Sequence, residues 1–460
     1  MKNWIYLALL VVSVQLVSIT PANAQVSLLA IGDLTSSPAG SYADLSGLTG
    51  TLENGAPENL LGGLGSGIAW ACGNNFLALP DRGPNAIPFN SLIDDTVTYI
   101  PRFHTVSMDL EVNNGGGLPF TLTPTLQSTT LLYDASPIVY GSGAGLDVGP
   151  GRPAENSPLK HYLSGRSDNY DPNRNSGNAG DARFDPEGIR LSNDATSVFI
   201  SDEYGPYVYE FDRATGERIR KFRLPGNLYV ANLRPVGDDE ILDNTSGRTA
   251  NKGMEGLAIT PDGKTLVGIM QAALIQDAAL GGDAAKLLRL VKVDITTGAT
   301  HEYAYLLTDG SGVSEIVALN GHEFLVDERD GKGRGDDSDA KVKKVFKIDL
   351  AHAVDVTNMD GTTAAANAVS KTLFLDMVQL LNANGITSDQ IPAKLEGIAL
   401  GPDVRNGETR MHTFWVANDN DFLQDFDGTG TNPNQFFVFG FSDADLGGSK
   451  IVRQQIACTQ

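Results

Sequence analysis

A short phrase recurs along the chain: Ser66-Gly67-Ile68-Ala69, Glu187-Gly188-Ile189, Glu255-Gly256-Leu257-Ala258, Glu315-Ile316-Val317-Ala318 and Glu396-Gly397-Ile398-Ala399. A carboxylate in a run otherwise made of Ile, Ala, Leu and Val is costly to bury unless something offsets its charge. If the copies share one axis, Glu187, Glu255, Glu315 and Glu396 converge with Ser66. Such a set must take up protons, meet arginines or hold a cation. Calcium suits it, because that ion accepts about six to eight carboxylate, amide and carbonyl oxygens.

A second polar group follows each phrase: Asp81-Arg82-Gly83-Pro84, Asp202-Glu203-Tyr204-Gly205-Pro206, Gln271, Asp327-Glu328-Arg329-Asp330 and Asn418-Asp419-Asn420-Asp421. Asp81, Asp202, Glu203, Asp327 and Asp419 would add oxygens beside the Glu set. Asp and Asn also close turns through local hydrogen bonds, so a structural role stands beside the ligand role. Arg82, Arg329 and Lys252 are the cationic contacts for an anionic substrate, unless they pair with these carboxylates. The oxygen-rich runs Asp171 to Asn175 and Asp425 to Gly430 do not complete an EF-hand loop, and solvated turns account for them. The six histidines show no metal-binding pair spacing and no Gly-x-Ser-x-Gly elbow is present, so zinc and serine-hydrolase chemistry lack support.

The elements that must position these groups are short strands. Each phrase leads through a turn into a second apolar run, such as Val198 to Ile200 after Glu187. Further runs from Tyr207 to Phe211 and Arg218 to Phe222 alternate with period two around Ala214-Thr215-Gly216. Four-stranded units of roughly 40 to 70 residues, joined by polar Gly-rich loops, predict an all-β fold, a β-propeller whose first strands line a central channel. A tandem of β-sandwiches explains the phrase less well, because its repeats run near 100 residues. Five units are visible and five to seven are possible. Six is favoured, with one diverged blade in residues 26 to 60 or in an insertion. Helical pattern is confined to Thr372 to Ala383 and Ala272 to Ala279. Residues 133 to 182 and 227 to 250 fit no blade and are expected as insertions that shape the channel mouth or as solvated decoration.

The chain has 460 residues, a net charge of -22, and 41% hydrophobic residues. That acidity disfavours nucleic acid and anionic lipid as partners. Lys2, the apolar run Ile5 to Ile19 and Ala22-Asn23-Ala24 read as a signal peptide over residues 1–24, with residues 25–460 forming one exported domain, periplasmic or extracellular. No second apolar stretch approaches the length of a membrane span. A monomer is expected. An N-terminal strand near Val26 to Ile31 would close the ring on the last blade, bringing Cys458 beside Cys72 on the first, and an oxidising compartment would let them pair.

These phrases resemble the bacterial phytase-like family described as having esterase-like activity. The resemblance is carried by Gly65-Ser66-Gly67, Leu79-Pro80-Asp81-Arg82-Gly83-Pro84-Asn85, Asp185-Pro186-Glu187-Gly188-Ile189 and Ser201-Asp202-Glu203-Tyr204-Gly205-Pro206. Asn251 to Ala258, Glu323 to Gly331, Leu395 to Ala399 and Asn418 to Phe422 add to it. It implies an exported propeller hydrolase using calcium-activated water on a small anionic or ester substrate. Glu187, Glu255, Asp81, Arg82, Glu203 and Arg329 are then the catalytic set. Glu187, Glu255, Glu315, Glu396, Asp202, Asp327 and Asp419 would be the metal set, with Arg82, Lys252 and Arg329 on the substrate. The chain lacks the dense Lys and Arg set suited to phytate, so a monophosphoester, lactone or carboxylic ester fits better. The competing reading is a non-catalytic exported propeller that binds polysaccharide or protein and holds a structural cation.

Overall fold

The computed structural model describes residues 26–85, 96–141, 151–426 and 430–458. The expected leader lies outside the described residues. Five four-stranded antiparallel sheets form the blades of a propeller. Their inner strands are Gly67–Trp70, Pro186–Leu191, Met254–Ile259, Gly312–Ala318 and Leu395–Asn406. The second and third of these are buried at every position, whereas the outermost strand of the first blade, Phe120–Leu131, alternates buried and exposed residues over its first eight positions. That contrast follows from position: an inner strand packs on both faces, an outer strand on one. Apolar clusters fill the gap between each blade and the next, for example Leu77, Leu79, Ile189 and Ile200 between the first two, and five such clusters run round the ring.

The ring closes as the sequence predicts. Ser27–Leu34 pairs antiparallel with Asn434–Phe441 and supplies the outer strand of the fifth blade. The blade number is five among the described residues, not the favoured six. Residues 26 to 60 are taken up by this closing strand and a two-stranded hairpin, Ser36–Ser37 with Gly40–Ser41. Thr372 to Asp376 is strand rather than helix, because it pairs with Lys343–Asp349 as the edge of the fourth blade. Helix begins only at Met377 and ends at Ala383.

The C-terminal segment crosses the far end of the channel. Val452 N–H donates to Leu319 O at 2.8 Å, Gln454 Nε2 to Leu191 O at 2.7 Å, and Ala457 N–H to Asn193 O at 2.7 Å. Cys458 then forms a disulfide with Cys72, their Cα atoms 5.8 Å apart. The strap thus touches the fourth, second and first blades, and through Arg453 on Gly401 O the fifth.

Candidate functional site

The blades deliver their carboxylates through a repeated backbone irregularity. In the second to fifth blades the register between the two innermost strands shifts: between Pro186 and Ile189, Met254 and Gly256, Val313 and Glu315, and Leu395 and Ile398. A β-bulge leaves one residue outside the ladder and re-aims its side chain. Glu187, Glu255 and Glu396 sit at these bulges. The next residue is glycine because the neighbouring inner strand approaches too closely for a side chain. A methyl on Gly188 would lie 2.7 Å from Leu257 N, and one on Gly256 2.7 Å from Glu315 Cα.

The fourth blade is one residue out of step. Val313 pairs with Glu328 and Glu315 with Asp327, so Ser314 holds the bulge and Glu315 stands where the other phrases have glycine. Glu315 therefore does not line the mouth. It lies below it, Oε2 3.1 Å from Arg190 Nη2, with Oε1 accepting from Leu257 N–H at 2.7 Å. Arg190 donates to the carbonyls of Ile68, Ile189, Ile316 and Ile398 at 2.6 to 3.4 Å. This one pair ties together the inner strands of all five blades. Burial pushes the Glu315 carboxyl up to about 7 against the opposing pull of Arg190.

Above it lies a cavity of about 220 Å³ at the channel mouth. Its walls include Ser66, just before the first inner strand, Glu187, Glu255 and Glu396 from the other inner strands, and Asp81, Arg82, Glu203, Gln271, Arg329 and Asp419 from the ends of the second strands. Lys252 and Lys394 complete the rim. Of the residues expected here, Asp202 and Asp327 are buried but do not line the cavity. Asp202 Oδ1 accepts from Asp185 N–H at 3.2 Å and Tyr204 N–H at 3.1 Å, which fixes the turn that presents Glu203. Among the described residues Asp327 has no hydrogen-bond partner on either oxygen, and burial pushes it up to about 8. Asp171 Oδ1 accepts from Asn173 N–H at 3.0 Å and closes a local turn; the run Asp425 to Gly430 falls partly outside the described residues.

The cations of the mouth are mostly matched. Arg82 Nη1 meets Asp185 Oδ2 at 2.9 Å, Arg329 pairs with Glu396 and lies 4.0 Å from Glu255, and Lys394 is 2.9 Å from Asp419 and also pairs with Asp421. Glu203 Oε1 accepts from Gly253 N–H at 2.8 Å, and Glu255 Oε1 from Gln271 Nε2 at 2.7 Å. Glu187 differs: its side chain has no hydrogen bond or ion pair among the described residues, although it is only 7% exposed. Burial, then the charges of Glu255, Asp185, Glu203 and Asp81, holds its carboxyl well above the usual carboxylate range. Asp185, Glu187 and Glu203 each offer an oxygen within 4.8 Å of the others, the spacing of ligands around one ion. The donors are all hard oxygens, as calcium requires. Sequence reasoning left out Asp185 and Lys394. Each stands two positions before a phrase glutamate, and residues i and i+2 share a face of extended chain.

Comparison with known proteins agrees with the motif reading. A family model described as "Phytase-like: Esterase-like activity of phytase" matches residues 59–422. An "Uncharacterized secreted protein" of Arthroderma benhamiae is 26% identical over 477 residues, covering 91% of this chain and 86% of its own length. Among solved structures, the PQQ-bound aldose sugar dehydrogenase of Streptomyces coelicolor aligns over 92% of this chain and 99% of its own at 11% identity and TM-score 0.32. Kuenenia stuttgartiensis hydrazine synthase aligns over 78% of each at 13% identity and TM-score 0.32. Among the described residues no helix is long and apolar enough to cross a membrane.

Proposed function

Because the chain belongs to the phytase-like family, we propose that it is an exported, calcium-dependent hydrolase of small phosphate esters or of other small esters and lactones. The observation that carries this reading is the unmatched Glu187 carboxylate, buried among Asp185, Glu203, Glu255 and Asp81 at the mouth of a blind channel. Asp185, Glu187 and Glu203 would hold the ion. Bound there, calcium supplies Lewis acidity toward a phosphoryl or carbonyl oxygen and toward the attacking water.

The chain's own residues provide the rest. Arg82 uses one nitrogen on Asp185 and presents its remaining N–H groups to an anion. Lys252, exposed at the rim, draws the substrate in. Arg329, held by Ser314 and Glu396, is fixed as a second positive wall. Glu255 is held above the usual carboxylate range by burial, then by Glu203 and Glu396, which is the direction required of a group that gives a proton to a leaving oxygen. The C-terminal strap closes the opposite end, leaving substrate one way in and out. Export follows from the leader read in residues 1–24 and fits the description of the Arthroderma relative as secreted.

The test is a hydrolysis screen on p-nitrophenyl phosphate, p-nitrophenyl acetate and a lactone, with and without chelator. The expected result is turnover of at least one substrate, abolished by chelator, restored by calcium and reduced at least a hundredfold in Glu187→Gln. No turnover on any of them, with chelator lowering only thermal stability, would leave a binding module with a structural cation.

A further inference from the structure

A second chamber lies at the far end of the channel, between the C-terminal strap and the inner strands. Its volume is about 70 Å³, and it shares no wall residue with the mouth. All five blades contribute to it, through Ala69, Leu191, Ile259, Val317 and Ala399, and the strap adds Ile451. These walls are aliphatic, and among the described residues no carboxylate lines the chamber. Three of its polar members are spent elsewhere: Arg453 on Gly401 O and Asp403, Gln454 Nε2 on Leu191 O and Asn193 Oδ1, and Trp70 Nε1 on Gly73 O.

Arg190 is the exception. It lines the chamber and is 4% exposed. Its Nη1 and Nη2 serve the four carbonyls and Glu315, but Nε has no hydrogen-bond partner among the described residues. Buried donors rarely stay orphaned. Because Glu315 already matches the charge of Arg190, what is missing is an acceptor and not an anion; an added carboxylate would leave a net charge among aliphatic walls. Water fits poorly, since a buried water needs about two to four polar partners and these walls are mostly aliphatic. A neutral carbonyl oxygen on a short alkyl body meets both demands.

We propose that the far-end chamber binds a small neutral carbonyl compound, a ketone or ester, with its oxygen on Arg190 Nε and its alkyl groups against the aliphatic walls. An apolar cavity of roughly 150 Å³ holds benzene. A chamber about half that size sets the limit near acetone or butanone. Entry is through the strap: residues 449–458 form no helix or strand and none is fully buried, so this segment opens at lower cost than any blade. The site is independent of the chemistry proposed for the mouth.

Saturation-transfer NMR with butanone on the intact protein tests this. Saturable binding is expected, unchanged in Glu187→Gln, which alters only the mouth, and at least tenfold weaker for butyrate, a carboxylate of similar size. Ile451→Trp, on a segment outside the blades, fills the chamber and should weaken butanone at least tenfold with the protein still folded. Arg190→Met combined with Glu315→Leu removes the donor and its acid together, so the fold survives while butanone binds about tenfold more weakly. Ile451→Ala enlarges the chamber and should shift the preference toward a longer ketone such as hexanone. No saturable binding, butyrate held as tightly as butanone, or equal butanone affinity in Ile451→Trp would overturn the proposal. Equal affinity in the double variant would overturn Arg190 as the donor, and a loss in Glu187→Gln would put the ketone at the mouth instead.

Discussion

Glu187 and Glu315 come from the same repeated phrase, sit on inner strands two blades apart and are both buried, yet the protein treats them in opposite ways. Glu315 meets Arg190 and two backbone N–H groups, and the pair stitches the inner strands of every blade. Glu187 has no ion pair or hydrogen bond among the described residues, and the charges that act on it most are those of other carboxylates. A buried acid serving the fold is matched within the chain, because an unpaired buried charge costs too much to keep for stability alone. An acid left unmatched at an open mouth marks where the chain expects something from outside. A one-residue difference in the position of the bulge separates the two cases.

The largest expected effect lies on the matched side. Arg190→Met leaves Glu315 buried without its cation and should cost about 3–5 kcal/mol in urea unfolding. Adding Glu315→Leu should recover most of that, as expected for partners in contact. A loss below about 1 kcal/mol would break the comparison. Next, Cys72→Ser frees the strap at the far end and should cost about 2–5 kcal/mol. Calcium affinity should stay the same, because the disulfide lies at the opposite end of the channel from Glu187; a parallel loss of calcium would mean that the two ends are not independent.

A smaller effect concerns Asp327, buried with neither oxygen hydrogen-bonded among the described residues and pushed up to about 8 by burial. The folded state holds this proton more tightly than the unfolded chain. The contribution of Asp327 is therefore most favourable at low pH and is lost as pH rises from about 4 to about 8. Asp327→Asn should flatten that part of the stability profile, adding roughly 1–3 kcal/mol at pH 8 and little at pH 4. An unchanged slope would mean that this acid is matched after all. Smallest of all, Lys252→Ala should move stability by less than about 0.5 kcal/mol while raising KM for an anionic ester a few-fold, as its exposed place on the rim implies. An unchanged KM would remove Lys252 from the substrate path.

Much of this was legible in the residues. Period-two runs and the recurring phrase give the propeller, and the apolar run near Val26 gives the ring closure, because both follow from local pattern. The position of Glu315 was not legible, since the phrase looks alike in the fourth blade until the register shift reveals Ser314 at the bulge. Asp185 and Lys394 were within reach of the i, i+2 rule but stand outside the repeated words. A sixth blade was favoured because a diverged one could lie in an insertion or in residues 26 to 60, and the chain uses the latter for closure and a hairpin instead. The contact between two distant insertions, Ser176 with Val230, was not legible either, since no periodicity reports such a meeting.

On the proposed function, the partner that Glu187 lacks within the chain is calcium. Calorimetric titration of calcium into chelator-treated protein and its Glu187→Gln variant tests this most directly. One ion per chain is expected, bound at least a hundredfold more weakly once Glu187 is replaced, with the variant folded in the absence of metal. Equal calcium affinity in the two proteins, or no calcium binding by the unsubstituted protein, would contradict it.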